Sequence, residues 1–322
     1  MNRSSPIQAL DRRALGRTLT RIANANALDL AEQLSEASTS PARRIGITGA
    51  PGAGKSTLVG HLALARMDNG RVGVLAIDPS SPKSGGAILG DRLRMDELDG
   101  SAELYIRSLG SRGVSDGLAD NLPQMLDVMD SFGFTEVILE TVGVGQAEYA
   151  VRQQVDTLVL VVLPESGDTV QAMKAGIMEM ADIFVVNKAD LPGATRMATN
   201  IQRTINIIRS APGAWIPPVL LTAASQPASI DELSRTIDRH QGWLSQNQRQ
   251  QTLREQRMRY RLKQVMEARI ASYIAQQDSS FFTLPIRRQV QRLTALLADM
   301  DGGGQTLPVT HANSQCGIGA EG

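Results

Sequence analysis

Short runs of apolar and β-branched residues alternate along the chain with stretches whose apolar residues recur at helical spacing. From Ile45 to about Ala224 the apolar runs are contained in RRIGIT, VGVLAID, ELYIRSL, EVILET, TLVLVVL, IFVVNK and VLLTA. Strands that alternate with helices are typical of a mainly parallel sheet covered on both faces. The pattern therefore predicts an α/β fold.

Helical patterns flank this region on both sides. Residues 7–38 read as helix, and STSPARR then marks a boundary. After Ser229 the helices become long and rich in Gln and Arg, and one of them carries an apolar side formed by Leu253, Met258, Leu262, Val265, Met266 and Ile270. A basic face there could bind nucleic acid, but few aromatic residues are interleaved for base stacking, so packing on a partner subunit is favoured.

These shifts in pattern predict four parts of the chain. They are an N-terminal helical extension (1–42), an α/β domain (43–240), a C-terminal helical region (241–300) and a flexible tail (301–322).

Composition removes several classes of protein from consideration. The 322 residues carry a net charge of +0, so nothing global indicates a nucleic-acid or membrane partner. No apolar run reaches the roughly 18 residues of a membrane span, and the N-terminus lacks the apolar segment of a signal peptide. The one cysteine, Cys316, cannot form an internal disulfide. A cytoplasmic location is expected, with the mitochondrial matrix left open.

The strongest motif is GAPGAGKS, residues 49–56, which matches G-x-x-x-x-G-K-[ST] between a predicted strand and a predicted helix. Its backbone N–H groups and helix N-terminus suit phosphate oxygens, Lys55 suits the terminal phosphates, and Ser56 suits Mg²⁺. The fold expected is therefore that of a P-loop NTPase. The nucleotide-binding residues predicted in this loop are Gly49, Ala50, Pro51, Gly52, Ala53, Gly54, Lys55, Ser56 and Thr57.

A second motif, NKAD, follows a predicted buried strand and indicates the base. Its carboxylate, Asp190, can accept hydrogen bonds from the ring N–H and the exocyclic amine of guanine, a pair of donors that adenine lacks in this arrangement. Asn187 and Lys188 complete the motif, and Thr222, Ala223 and Ala224 after the last strand are expected to contact the base. GTP and GDP are the predicted nucleotides.

Three carboxylates are candidates for the metal and water site. Glu140 ends the strand EVILET, and Gly143 three residues later can contact the γ-phosphate. Asp78 ends a strand that we expect to be adjacent to the P-loop strand, and Asp91 lies in a glycine-punctuated loop where it could equally cap a turn. Mg²⁺ is thus expected on Ser56, Asp78, Asp91 and Glu140, with Lys55, Asp78, Asp91, Glu140 and Gly143 as the catalytic set.

The sequence offers several candidates for the residue that positions the attacking water. In Ras-like GTPases a glutamine follows the glycine equivalent to Gly143, whereas this chain has Val144 there. Gln146 is displaced by two positions, and Arg107 or Arg112 could stabilise transition-state charge or merely pair with carboxylates. Slow intrinsic hydrolysis is expected.

Several long stretches together resemble the MeaB/ArgK/MMAA family of GTPases, which act as chaperones of adenosylcobalamin-dependent acyl-CoA mutases. The stretches are GAPGAGKST, AIDPSSPKSGGAILGDRLRM, ETVGVGQAE and GDTVQAMKAGIMEMADIFVVNKAD. The resemblance implies a SIMIBI-class GTPase that dimerises through its C-terminal helices and gates cofactor loading, protection and reactivation of the mutase. It also implies a third switch that couples nucleotide state to the mutase, containing Gly167, Asp168, Gln171 and Lys174, and it allows a cobalamin adenosyltransferase as a further partner.

Two departures from the family pattern leave the particular mutase open. SRGVSDGL carries Ser115 and Asp116 where the family has a glycine-rich turn, and GDTVQAMKAG has Thr169 and Ala175 in place of an acidic and a basic residue. Two other functions remain as alternatives: a metallochaperone GTPase for a nickel enzyme, which would need His and Cys ligand clusters, and a nucleotide-dependent accessory of an amino-acid transport system.

Overall fold

The computed structural model describes residues 9–25, 41–79, 103–111, 121–141, 146–164, 177–208 and 213–301. All seven predicted strands are present: β1 (Arg43–Gly49), β2 (Val72–Pro79), β3 (Leu104–Ser111), β4 (Glu136–Thr141), β5 (Thr157–Val162), β6 (Ile183–Asn187) and β7 (Val219–Thr222). They form one sheet in the order β3-β2-β4-β1-β5-β6-β7, and every neighbouring pair is parallel. The prediction of an α/β fold with a parallel sheet is confirmed.

The helices have clear bounds in the described residues. They are α1 (Arg12–Asn24), α2 (Lys55–Arg66), α3 (Leu122–Ser131), α4 (Gln146–Arg152), α5 (Ile177–Met180), α6 (Ala194–Ile208), α7 (Pro227–Gln246), α8 (Arg249–Ala275), α9 (Ser279–Phe282) and α10 (Ile286–Asp301), with a 3₁₀ turn at Met67–Asn69. Helix α1 begins after Asp11, whose side chain accepts a hydrogen bond from the Ala14 N–H at 2.9 Å. The prediction of one helix over 7–38 is therefore wrong at both described ends, because the helix begins only at Arg12 and Ala25 after Asn24 is already extended. Residues 26–38 lie outside the described residues.

Successive strand residues point to opposite faces of the sheet, and each face has its own core. Leu75, Leu139 and Leu158 pack on the face covered by α1 and α3, whereas Val74, Ile138 and Val159 pack on the face covered by α2 and α7. Because all seven strands run in parallel, the loops that follow them meet at one edge of the sheet, where ligands bind in folds of this kind.

The chain divides into two compact units, Met1–Val265 and Met266–Gly322. The first contains the sheet and α1–α7. Within the described part of the second, apolar side chains are exposed on α9 and α10, among them Phe282, Ile286 and Val290. No helix among the described residues combines the length and the apolar character that crossing a membrane requires.

Candidate functional site

The glycine-rich loop connects the end of β1 to the start of α2, as its sequence predicted. Gly49, Gly52 and Gly54 all have positive φ, at 145°, 76° and 80°. At Gly49 a β-carbon would lie 2.0 Å from the carbonyl oxygen of Val161 on β5, so only glycine fits there. The loop is therefore pressed directly against the neighbouring strand.

Lys55 is the first residue of α2, and its ammonium group lies against the phosphate loop. Its Nζ donates to the carbonyl oxygens of Gly49 at 2.8 Å and Ala50 at 3.0 Å, and the residue is buried. The helix N-terminus adds partial positive charge at the same place. A buried ammonium group beside backbone amides at a helix start is suited to phosphate.

Ser56 on the first turn of α2 and Glu140 near the end of β4 bring two oxygen ligands together. The Ser56 hydroxyl donates to Glu140 Oε1 at 2.6 Å, and register pairing of Ile47 with Glu140 explains why the carboxylate arrives there. A hydroxyl and a carboxylate are the hard oxygen donors that Mg²⁺ takes in nucleotide sites, so this pair fits the ion. Nowhere in the described part of the chain do three or more His, Cys, Asp or Glu side chains gather as a metal site of their own.

The residues predicted to read the base also hold the phosphate loop. Asn187 Nδ2 donates to the carbonyl oxygen of Ala53 at 2.8 Å, and Lys188 Nζ donates to that of Gly52 at 3.3 Å. Lys188 has a φ of 54°, an uncommon left-handed conformation for a residue other than glycine. Asp190 is exposed at the same edge. This cross-connection between the two motifs could not be seen from either motif alone.

A second layer supports Asn187. Thr222 on β7 is in register with Asn187 on β6, and its hydroxyl donates to Asn187 Oδ1 at 3.0 Å. Both amide atoms of Asn187 are therefore hydrogen-bonded, which orients the side chain. The sequence predicts that Thr222, Ala223 and Ala224 contact the base, and it does not predict the hydrogen bond from Thr222 to Asn187.

Ser229 at the start of α7 was missed by the sequence reasoning. It supports the turn that follows Thr222, because its hydroxyl accepts from the Ala223 N–H at 3.2 Å and donates to the Gln226 carbonyl at 2.6 Å. A serine two residues after the proline of a helix start is a common sequence feature, so only the fold shows this contact.

Two expectations need correction. The strand that carries Asp78, β2, is not adjacent to the P-loop strand, because β4 lies between β2 and β1. Glu140 is therefore the candidate carboxylate on the neighbouring strand. Arg107 donates to the Gly16 carbonyl at 3.2 Å and the Thr20 hydroxyl at 3.1 Å, so its guanidinium is used to fasten helix α1.

The remaining predicted residues are only partly visible. For Asp78 and Gln146 the structure describes the backbone but not the side chain, and Thr57 is exposed on the first turn of α2. Outside the described residues lie Asp91, Arg112, Gly143, Val144, Gly167, Asp168, Gln171 and Lys174.

The sequence as a whole is similar to a known family. The family model described as methylmalonyl-CoA mutase-associated GTPase MeaB matches residues 15–279. A Pyrococcus abyssi protein that carries the name of a GTPase is 38% identical over 307 residues, which span 91% of this chain and 94% of that protein. The Escherichia coli GTPase ArgK is 34% identical over 235 residues, or 72% of this chain and 71% of ArgK.

A solved structure agrees on the fold. The crystal structure of an LAO/AO transport system kinase superposes with a TM-score of 0.60 at 23% identity, covering 90% of this chain and 100% of that one. The family match spans the sheet, the phosphate loop and the helices that follow. The chain is a GTPase and belongs to the MeaB/ArgK/MMAA family of methylmalonyl-CoA mutase-associated GTPases.

Proposed function

We propose that this GTPase is the chaperone of a cobalamin-dependent acyl-CoA mutase and that it gates loading, protection and reactivation of the adenosylcobalamin cofactor. The observation that carries the proposal is the match to a mutase-associated GTPase family, which extends from residue 15 to residue 279 and so includes the helices beyond the nucleotide domain. Methylmalonyl-CoA mutase is the first candidate partner.

The phosphate loop and the NKAD loop act together on the nucleotide. The N–H groups of residues 49–56 and Lys55 bind the phosphates, while Asp190 accepts two hydrogen bonds from guanine. Because Asn187 and Lys188 bond to the phosphate loop itself, binding of the base orders the residues that hold the phosphates.

Ser56 and Glu140 would hold Mg²⁺, and Asp78 and Asp91 are further candidates for carboxylates that act through water. The ion supplies charge neutralisation at the β- and γ-phosphates when it is bound. In the structure Glu140 accepts a hydrogen bond from the Ser56 hydroxyl, which holds the two oxygen atoms side by side.

Hydrolysis is an in-line attack of water on the γ-phosphorus, in which one P–O bond forms and the bond to the β-phosphate oxygen breaks. Lys55 stabilises the negative charge on the phosphate oxygens, and the Gly143 N–H contacts the γ-phosphate. With Val144 in place of a water-orienting glutamine, the free protein hydrolyses GTP slowly and the mutase completes the site.

The family match is also the basis for proposing which parts of the chain contact partner proteins. Gly167, Asp168, Gln171 and Lys174 couple the nucleotide state to the mutase. A homodimer forms through the C-terminal helices, whose exposed apolar residues include Ile286 and Val290. The protein acts in the cytoplasm, and a cobalamin adenosyltransferase is a further candidate partner.

The test is GTP turnover by the purified protein with and without saturating methylmalonyl-CoA mutase. We expect turnover to be selective for GTP over ATP and to rise when the mutase is added. Lys55→Ala serves as the control that removes nucleotide binding. GTP turnover that no adenosylcobalamin-dependent acyl-CoA mutase changes would overturn the chaperone role while leaving the GTPase intact.

A change at Asp190 tests how the base is read. Asparagine offers an N–H donor that matches the 2-oxo group of xanthine and loses the double acceptor that guanine needs. We expect Asp190→Asn to weaken GTP binding by at least about a hundredfold and to improve xanthosine triphosphate binding. Asp231→Asn, at an exposed aspartate on α7, is the matched control and should change neither affinity.

A further inference from the structure

Two adjoining clefts lie at the edge of the sheet where the strands begin, opposite the nucleotide loops. The smaller, of about 170 Å³, is lined by Pro41, Arg44, Pro123, Asp127, Asp130, Gln154, Arg254, Arg257, Met258 and Arg261. The larger, of about 450 Å³, shares Pro41, Arg254 and Arg257 with it. None of these residues belongs to the GTP site described above.

Four buried N–H donors around the smaller cleft have no hydrogen-bond acceptor among the described residues. They are the Nε atoms of Arg44, Arg257 and Arg261 and the Nε2 atom of Gln154. Arg44 is 6% exposed and Gln154 is 1% exposed. Buried donors without acceptors are uncommon in folded proteins because losing water is costly. Four around one cleft indicate that an acceptor belongs there.

Nearby aspartates accept hydrogen bonds from the terminal Nη atoms of these arginines. Asp130 Oδ2 accepts from Arg44 Nη2 at 3.1 Å, and Asp127 Oδ2 accepts from Arg261 Nη1 at 2.7 Å. Arg257 pairs with Asp156 through its Nη2 atom. The carboxylates thus fix the guanidinium groups in place and leave the Nε–H groups for another acceptor.

The charge of the cleft favours an anion. Its lining contains four arginines against two aspartates. The pKa of the Arg257 guanidinium is lowered, mainly by burial; the charge of Asp156 offsets part of this effect, and the nearby charge of Arg44 adds to it. A negative charge in the cleft would relieve this repulsion.

We propose that this cleft is a second ligand site, separate from the GTP site, which binds a small oxyanion such as the phosphate or carboxylate group of a soluble metabolite. Each of these four nitrogen atoms is closed off from solvent in the structure, so the side chains shift when the oxyanion enters. The oxyanion then accepts hydrogen bonds from the Nε–H groups of Arg44, Arg257 and Arg261 and from the Gln154 amide. Arg254, which is exposed and lines both clefts, closes over it.

The experiment observes the arginine Nε–H resonances by NMR while inorganic phosphate or acetate is added to the full chain. GDP and Mg²⁺ are present in excess so that the P-loop is occupied. We expect saturable shifts for Arg44, Arg257 and Arg261, and no such shifts with sodium chloride at the same ionic strength. Phosphate and acetate, added separately, distinguish the two oxyanion classes.

Two variants test the assignment. Arg254→Gln should weaken binding of the effective anion by about tenfold, and Arg259→Gln, at an exposed arginine on the same helix that lines neither cleft, is the matched control. Gln154→Met removes a donor that has no partner, so the fold should tolerate it while the affinity falls. The proposal fails if neither anion gives saturable shifts, or if Arg259→Gln weakens binding as much as Arg254→Gln.

Discussion

At the scale of single residues, alanine substitutions at two glycines of the phosphate loop distinguish the cost of backbone strain from the cost of a steric clash. Gly52 and Gly54 have nearly equal φ values, 76° and 80°, so alanine costs about 1–2 kcal/mol of strain at either one. The surroundings differ. A β-carbon at Gly52 meets no atom within 4 Å, whereas one at Gly54 lies 2.6 Å from Asn187 Nδ2.

We therefore predict that Gly54→Ala lowers the free energy of unfolding more than Gly52→Ala, by roughly a further 1 kcal/mol, because it displaces Asn187 from Ala53. Urea denaturation without nucleotide measures both variants, with Gly52→Ala as the internal control. Equal losses would show that the Asn187 contact does not support the loop.

At the scale of elements, the start of α9 depends on a titratable cap. The Asp278 carboxylate accepts hydrogen bonds from the Ser280 N–H at 2.8 Å, the Phe281 N–H at 3.1 Å and the Ser280 hydroxyl at 2.6 Å. The hydrogen bond from the Ser280 side chain is the main reason that the pKa of Asp278 lies below its usual value of 3.8.

Because the pKa of Asp278 is lower in the folded state than in the unfolded state, the ionised cap stabilises the helix start at pH values above the unfolded-state pKa. This stabilisation is lost as the pH falls through the folded-state pKa. We expect a carbon-detected NMR titration of the Asp278 carboxyl to have its midpoint below 3.8. Ser280→Ala should raise that midpoint, and Thr283→Ala is the control that leaves it in place. A midpoint that Ser280→Ala does not move would remove the hydroxyl as the cause.

The elements also show the limit of local patterns. All seven strands follow from their β-branched runs, and α8 (Arg249–Ala275) follows from its long polar helical pattern. The apolar side predicted for α8 is only partly buried in this single chain, since Leu253 is buried while Met258 and Leu262 are 55% and 61% exposed. Spacing predicts that a helix is amphipathic, but the partner for its apolar side depends on long-range packing.

At the scale of the whole molecule, one buried arginine joins three elements. Arg66 at the end of α2 is 0% exposed and donates to Glu136 at the start of β4 at 2.5 and 2.6 Å, to Asp238 on α7 at 2.7 Å and to the Ser234 hydroxyl at 2.8 Å. Burial alone would lower the pKa of this guanidinium, but the hydrogen bonds that it donates to Glu136 and Asp238 raise it. The group is charged at every pH at which the protein folds.

Arg66→Met should lower the free energy of unfolding by about 3–5 kcal/mol, because it leaves the buried Glu136 carboxylate without its main counter-ion. The double variant Arg66→Met with Glu136→Met should recover much of that loss. Arg235→Met, which removes an exposed pair with Glu232 on α7, is the control and should cost much less than Arg66→Met, because solvent screens the exposed pair. Thermal or urea unfolding of the three variants measures the difference, and a loss that the double variant does not recover would contradict the role given to Glu136.

The sequence by itself determined the strands, the phosphate loop, the guanine motif and the family, because each depends on residues close together in the chain. The pattern G-x-x-x-x-G-K-[ST] requires the glycines at 49 and 54 and the lysine at 55, and NKAD carries its chemistry in four neighbouring residues. Only the tertiary structure decided which strands are neighbours, and so that Glu140 rather than Asp78 is on the strand beside the phosphate loop. It likewise decided that Asn187 and Thr222 brace that loop and that four arginines gather around one cleft, because such contacts join residues far apart in sequence through the order and register of the sheet.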